Sequence, residues 1–131
     1  MKLAIPVFAA LCVSTVQAAT PAELLAGYQG AAGAGFTPSA QRGAALYTKA
    51  FNVSAKMPAC TSCHTDSPAQ VGRHAVTDKA IKPLAPSANA DRFSDPAKVE
   101  KWFRRNCTEV VGRECNAAEK ADFVAYLMGG R

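Results

Sequence analysis

Cys60-Thr61-Ser62-Cys63-His64 is a C-x-x-C-H run. Two thiols at this spacing can each add to one vinyl group of a haem, and the histidine directly after the second then faces the iron as its proximal ligand. Three other uses of the same residues compete. A thioredoxin-like redox pair needs a βαβ context, and none is visible in this chain. A structural zinc site needs four ligands, and Cys107 and Cys115 lack zinc spacing. A disulfide across so tight a loop is strained. The run favours one covalent haem c, carried by Cys60 and Cys63 with His64 on the iron.

The start of the chain agrees with that chemistry. Met1-Lys2 is positive, Leu3 to Val16 is mostly apolar, and Val16-Gln17-Ala18 is a small-x-small cleavage site. Residues 1–18 therefore read as a signal peptide, cut between Ala18 and Ala19. The apolar run is too short to span a bilayer, so no membrane insertion is expected after cleavage. Cys12 lies inside it and follows Leu11 rather than a small residue, so it should leave with the leader unlipidated. Haem c is attached outside the cytoplasm, so leader and motif support each other and place the protein in the periplasm.

Residues 19–131 suit one domain, with 19–38 as an N-terminal extension. A haem would fill its centre, so a large apolar core is not required. The formal charge of +5 falls by one with loss of Lys2. There is no Lys/Arg block and no interleaved aromatic pattern, which sets nucleic acid aside. A basic face can still steer an acidic redox partner.

The rest of the chain reads as helices. Thr20 caps a short helix beginning Pro21-Ala22-Glu23, with Leu24, Leu25 and Tyr28 apolar and Gly27, Gly30, Gly33 and Gly35 weakening its continuation. Ser39 to about Phe51 is a second helix. Gly43, Leu46, Tyr47 and Ala50 share one face, and Gly43 lets another helix cross closely. Tyr47 reads as core. Residues 65–92 hold Pro68, Pro83, Pro86 and the breaker Gly72, and suit an extended loop wrapping one haem edge. A third helix starts at Ser94-Asp95-Pro96 and runs to about Arg105. Val99, Trp102, Phe103 and Asn106 share its apolar face. Asn116 and Glu119 make a capping-box start for the last helix, whose stripe is Ala117, Ala121, Val124, Leu127 and Met128. That helix is expected to cross at Gly43. There are no convincing strand runs. In an exported chain with Cys60 and Cys63 committed to haem, Cys107 and Cys115 should form a disulfide across a seven-residue loop turning at Gly112.

The opposite face of the iron is less ordinary. An electron carrier usually places Met or His there. Met1 leaves with the leader, Met57 precedes the motif on the proximal side, and Met128 reads as core. His74 is the only other histidine and lies in a loop. Lys79 and Lys82 would ligate only at high pH. Asn106 ends an apolar stripe beside Cys107; its ordinary reading is a left-handed helix C-cap. As an amide-oxygen donor it would be a hard, weak ligand favouring ferric over ferrous iron.

With these residues in view the chain resembles the small high-spin cytochromes c, the SHP family. The shared stretches are Thr20-Pro-Ala-Glu-Leu-Leu-Ala-Gly-Tyr28, Arg42-Gly-Ala-Ala-Leu-Tyr47, the Cys60–His64 motif and Pro83-Leu-Ala-Pro-Ser87. The most specific run extends from Asp91-Arg-Phe through Val99-Glu-Lys-Trp102 to Arg105-Asn-Cys107 and Gly112-Arg-Glu-Cys115. The resemblance implies an all-α, class I cytochrome c-like fold with an N-terminal helical extension. It implies thioether bonds at Cys60 and Cys63, His64 as proximal ligand, Asn106 as a distal ligand lost on reduction, and a Cys107–Cys115 disulfide. It also implies binding of small diatomic ligands (O2, NO, CO) by the reduced protein and a dihaem cytochrome c as electron donor. If His74 ligated, the site would be low-spin and this reading would fail.

Three functions follow for comparison. One is a ligand-binding or redox-enzyme haem protein, an oxygen- or NO-handling oxidoreductase, with electron transfer better supported than turnover because no acid–base pair stands clearly over the iron. Another is a conventional six-coordinate electron carrier. The third is a disulfide or zinc module without haem.

Overall fold

The computed structural model describes residues 18–129. The leader, including Cys12, lies outside the described residues apart from Ala18.

Among the described residues, five α-helices and one small hairpin make the fold. Helix α1 spans Pro21–Ala32, α2 Ala40–Thr48, α3 Thr61–His64, α4 Pro96–Asn106 and α5 Ala117–Met128; strand β1 is Gly72–Arg73 and β2 Ala80–Ile81. The caps are those read from local sequence. Thr20 and Glu23 satisfy each other's backbone N–H at the start of α1, as Asn116 and Glu119 do for α5. Ser39 accepts from the Arg42 amide, and Asp95, not Ser94, caps α4 by accepting from the Lys98 amide at 3.0 Å. Each such bond satisfies an otherwise orphaned helix donor.

Two helix lengths differ from expectation. α1 continues through Gly27 and Gly30 to Ala32. Leu24 and Tyr28 on its inner face are buried, and tertiary packing outweighs the cost of glycine in a helix. α2 stops at Thr48, short of Phe51. The segment expected as a plain extended loop contains a hairpin, in which β1 and β2 pair antiparallel with Gly72 opposite Ile81 and Arg73 opposite Ala80. Strands of two residues are too short to leave a hydrophobic alternation in the sequence.

The core gathers Leu24 and Tyr28 of α1, Phe93, and Ala121, Val124 and Leu127 of α5, with Leu84, Val99, Phe103, Phe123 and Tyr126 packed on it. Both α1 and α2 lean on α5. The close crossing expected at Gly43 is present. A Cβ there would meet the Asp122 carbonyl carbon at 2.6 Å and the Tyr126 Cβ at 2.8 Å. The same crossing is stitched by charge. The Asp122 carboxylate accepts from the Ser39 amide at 2.7 Å and from Arg42 Nε and Nη2 at 2.7 and 2.8 Å. Met128, read from the sequence as core, is 39% exposed, because the last turn of α5 runs past the core that Leu127 closes.

A second polar tie joins three helices. Tyr28 on α1 donates to the Glu100 carboxylate on α4, and Lys120 on α5 donates to the same carboxylate at 2.8 Å. The Lys120 ammonium also lies over the Tyr28 and Phe103 rings. Burial acts to raise the Glu100 pKa, but the bonds from Lys120 and Tyr28 and the Lys120 and Arg104 charges outweigh it and leave it low. The extension is thereby locked to α4, the helix that carries Asn106.

Candidate haem site

The motif forms one helical turn. Cys60 precedes α3 in helical conformation, and the His64 amide donates back to the Cys60 carbonyl at 3.1 Å. Ser62 steadies the turn by accepting from the Ala59 amide. This places both thiols and the imidazole within five consecutive residues on a single turn.

Chemistry and burial agree with that arrangement. Burial pushes the Cys60 thiol up to about 11, so it is no low-pKa thiolate of the kind redox cysteines need. Burial, with the charge of Arg92 and then of His74, pushes His64 down to about 4. The imidazole is therefore neutral at pH 7 with a lone pair for a metal. Cys60 and Cys63 are both unpaired thiols. Among the described residues no cluster of three or more His, Cys, Asp and Glu could hold a metal ion, which leaves the zinc reading without ligands. The residues present suit thioether attachment of a haem.

Two residues behind the motif have roles the sequence did not display. Tyr47, fully buried, donates its hydroxyl to the carbonyls of His64 and Thr65 at 3.0 and 2.7 Å. It fastens the end of the turn to α2, beyond simply filling the core. Burial raises its pKa, so it remains a donor. Gly72, read only as a breaker, backs onto the motif. A Cβ would collide with the Cys63 carbonyl oxygen and come within 3.1 Å of the His64 Cα. Tyr47→Phe should cost about 1–2 kcal/mol, the scale of one buried hydrogen bond and its stranded acceptors. Thermal unfolding with an unchanged midpoint would count against this role.

His74 belongs to the hairpin. Its Nδ1 accepts from the Val76 and Thr77 amides, and the adjacent Ala75 amide donates to Cys63 Sγ at 3.3 Å. The hairpin thus sits against the motif itself. Lys79 and Lys82 are exposed in the same segment. Met57 lies in the loop that Phe51 and Pro58 close before the motif begins.

Asn106 is not the left-handed cap that its residue type and position suggest. Its backbone is helical, φ −69° and ψ −38°. The chain runs on without a break into a π-turn, Cys107–Val111, and the left-handed residue is Gly112. A π-turn inside a helical stretch widens one turn and re-aims the residues at its edge, and such turns cluster at functional sites. The Asn106 amide makes no hydrogen bond with the described residues and is exposed. Beside it, Cys107 and Cys115 are joined, with sulfurs 2.02 Å apart and both residues buried. Gly112 closes the π-turn against Val53 in the loop leading to the motif. The loop that carries Val53 and leads into Cys60 thus touches the turn that follows Asn106 and Cys107. Trp102, on the expected stripe, is 42% exposed with the Arg105 guanidinium over its ring, whereas Val99 and Phe103 join the core.

Known proteins resemble this chain in sequence and fold. Residues 33–127 match the family described as a domain of unknown function, DUF1924. The cytochrome c-type protein SHP of Cereibacter sphaeroides is 48% identical over 109 residues, covering 82% of each chain. The solved structure of oxidised SHP, an oxygen-binding cytochrome c, superposes with a TM-score of 0.78 at 46% identity, covering 84% of this chain and 96% of that one. The solution structure of cytochrome c'' from Methylophilus methylotrophus, concerned with haem-ligand detachment, superposes with a TM-score of 0.66 at 39% identity, covering 82% and 91%. The chain belongs to the DUF1924 family, and it is a monohaem c-type cytochrome with the helical fold of SHP and cytochrome c''.

Proposed function

We propose that this is a periplasmic electron-transfer cytochrome whose distal ligand, Asn106, is released on reduction so that the ferrous protein takes up O2, NO or CO. The haem supplies one-electron chemistry and a position for small ligands. Cys60 and Cys63 tether it, and His64, neutral through burial, supplies the proximal nitrogen. Asn106 supplies a neutral amide oxygen, a hard donor that prefers ferric iron.

The observation that carries this reading is the state of Asn106. Its amide has no hydrogen bond among the described residues, and it stands where α4 becomes a π-turn, next to a buried disulfide. A side chain serving as a cap would have been spent on the backbone. The relatives support the same reading: SHP is an oxygen-binding cytochrome, and cytochrome c'' is one in which a haem ligand detaches. A dihaem cytochrome c suits the role of electron donor.

Asn106→Ala tests it. The ferric variant should pass from six- to five-coordinate and bind cyanide or azide at least about tenfold faster, the factor expected for removing roughly 1.4 kcal/mol of competing ligation. The ferrous carbon monoxide spectrum should match that of the unaltered protein. An unchanged ferric spectrum and unchanged ligand rates would remove Asn106 from the iron.

A further inference from the structure

Arg92 is a half-buried cation without a carboxylate. Every other described Lys or Arg is either exposed or held in an ion pair. Arg92 instead donates from Nε to the Pro83 carbonyl and from Nη2 to the Lys82 carbonyl, both at 2.6 Å. Carbonyls are neutral, so the charge stays uncompensated, and burial pulls the Arg92 pKa down accordingly. Burying a charge is costly unless it is paired. A guanidinium has five N–H donors in a fixed fork, and the two carbonyl bonds leave donors over.

The position of this charge is set by the hairpin. Lys82 directly follows β2, β2 pairs with β1, and Gly72 of β1 backs onto Cys63 and His64. Leu84 and Ala85 donate to the Pro68 carbonyl, only four residues past His64. A haem carries two carboxylates, and nothing in the described chain provides an anion for Arg92. We infer that Arg92 is the counter-ion of one haem carboxylate, binding it through the N–H groups left after it clamps Lys82 and Pro83.

A fixed cation beside the haem favours the reduced state, whose net charge is lower by one. The holoprotein with Arg92→Gln should show a propionate-bending band displaced to lower frequency in resonance Raman spectra. Its ferrous-to-ferric ratio at a fixed applied potential should drop about tenfold, which is about 59 mV for one electron. Arg92→Lys should recover most of the potential but not the band, because lysine restores the charge without the fork. If both band and potential of Arg92→Gln match the unaltered protein, Arg92 is a loop clamp only, whatever stability is lost. Should Arg92→Gln yield no holoprotein, an unmoved band in Arg92→Lys overturns the assignment. Absence of a c-type haem spectrum in the unaltered chain would instead strike at the haem itself, and it is seen before any variant is compared.

Discussion

Gly43→Val should destabilise the protein by about 3 kcal/mol or more, at the upper end of what overpacking costs. The atoms that a Cβ would strike are the Asp122 carbonyl and the Tyr126 Cβ. Neither is the free end of a flexible side chain, so relief requires α2 and α5 to move apart. That movement would stretch the bonds from Arg42 and the Ser39 amide to Asp122. It would also lift Tyr47, one turn along α2, from the carbonyls of His64 and Thr65. A local clash would thus reach the haem turn. Urea titration of the holoprotein measures the effect, and Gly43→Ala should lie between the two. A midpoint for Gly43→Val equal to that of the unaltered protein would show that the helices do not cross this closely in solution.

Replacing both Cys107 and Cys115 by serine should cost about 2–3 kcal/mol, the loop-entropy scale for so short a ring. Both residues are buried, so two hydroxyls in place of the bridge add a desolvation cost. The consequence should extend beyond stability. Cys107 is the first residue of the π-turn and the neighbour of Asn106. Once the tether to Cys115 is cut, the π-turn can relax toward ordinary helix, which rotates the residues at its edge. Cyanide should then bind the ferric double variant faster, while carbon monoxide binding to the ferrous form changes little. Thermal unfolding and stopped-flow mixing read the two effects separately. A destabilised variant with unaltered ferric ligand rates would make the bridge a staple only.

Much of the helical framework was legible because its signals are local. The boxes Thr20–Glu23 and Asn116–Glu119, the cap at Ser39 and the start of α4 near Pro96 each depend on residues within one turn. The crossing at Gly43 was legible too, since a glycine on an otherwise apolar face has few other uses. Residues whose partners are remote in sequence were not. Asp122 reads as a polar position on α5, yet it binds residues 80 and 83 positions away. Arg92 lies in a stretch without periodicity, and its partners are backbone carbonyls, which carry no residue signature. Gly72 looked like any loop glycine, because only the folded hairpin brings the motif's backbone against it.

Asn106 divides the two kinds of information. Periodicity placed it on the face with Val99 and Phe103, and the neighbouring cysteine marked a bridge. Its conformation could not be read, since asparagine at a helix end ordinarily turns left-handed, and here the chain continues into a π-turn and leaves that duty to Gly112. The sequence by itself determined the cofactor, because the C-x-x-C-H spacing within a single turn is what covalent haem attachment needs, and it named Cys60, Cys63 and His64 as the residues expected to carry it. Only the tertiary structure decided what stands behind and around that turn. Tyr47, Gly72 and Arg92 reach it by long-range packing, and the π-turn that frees the Asn106 amide is held by a bridge and by Val53, contacts that exist only once the chain has folded.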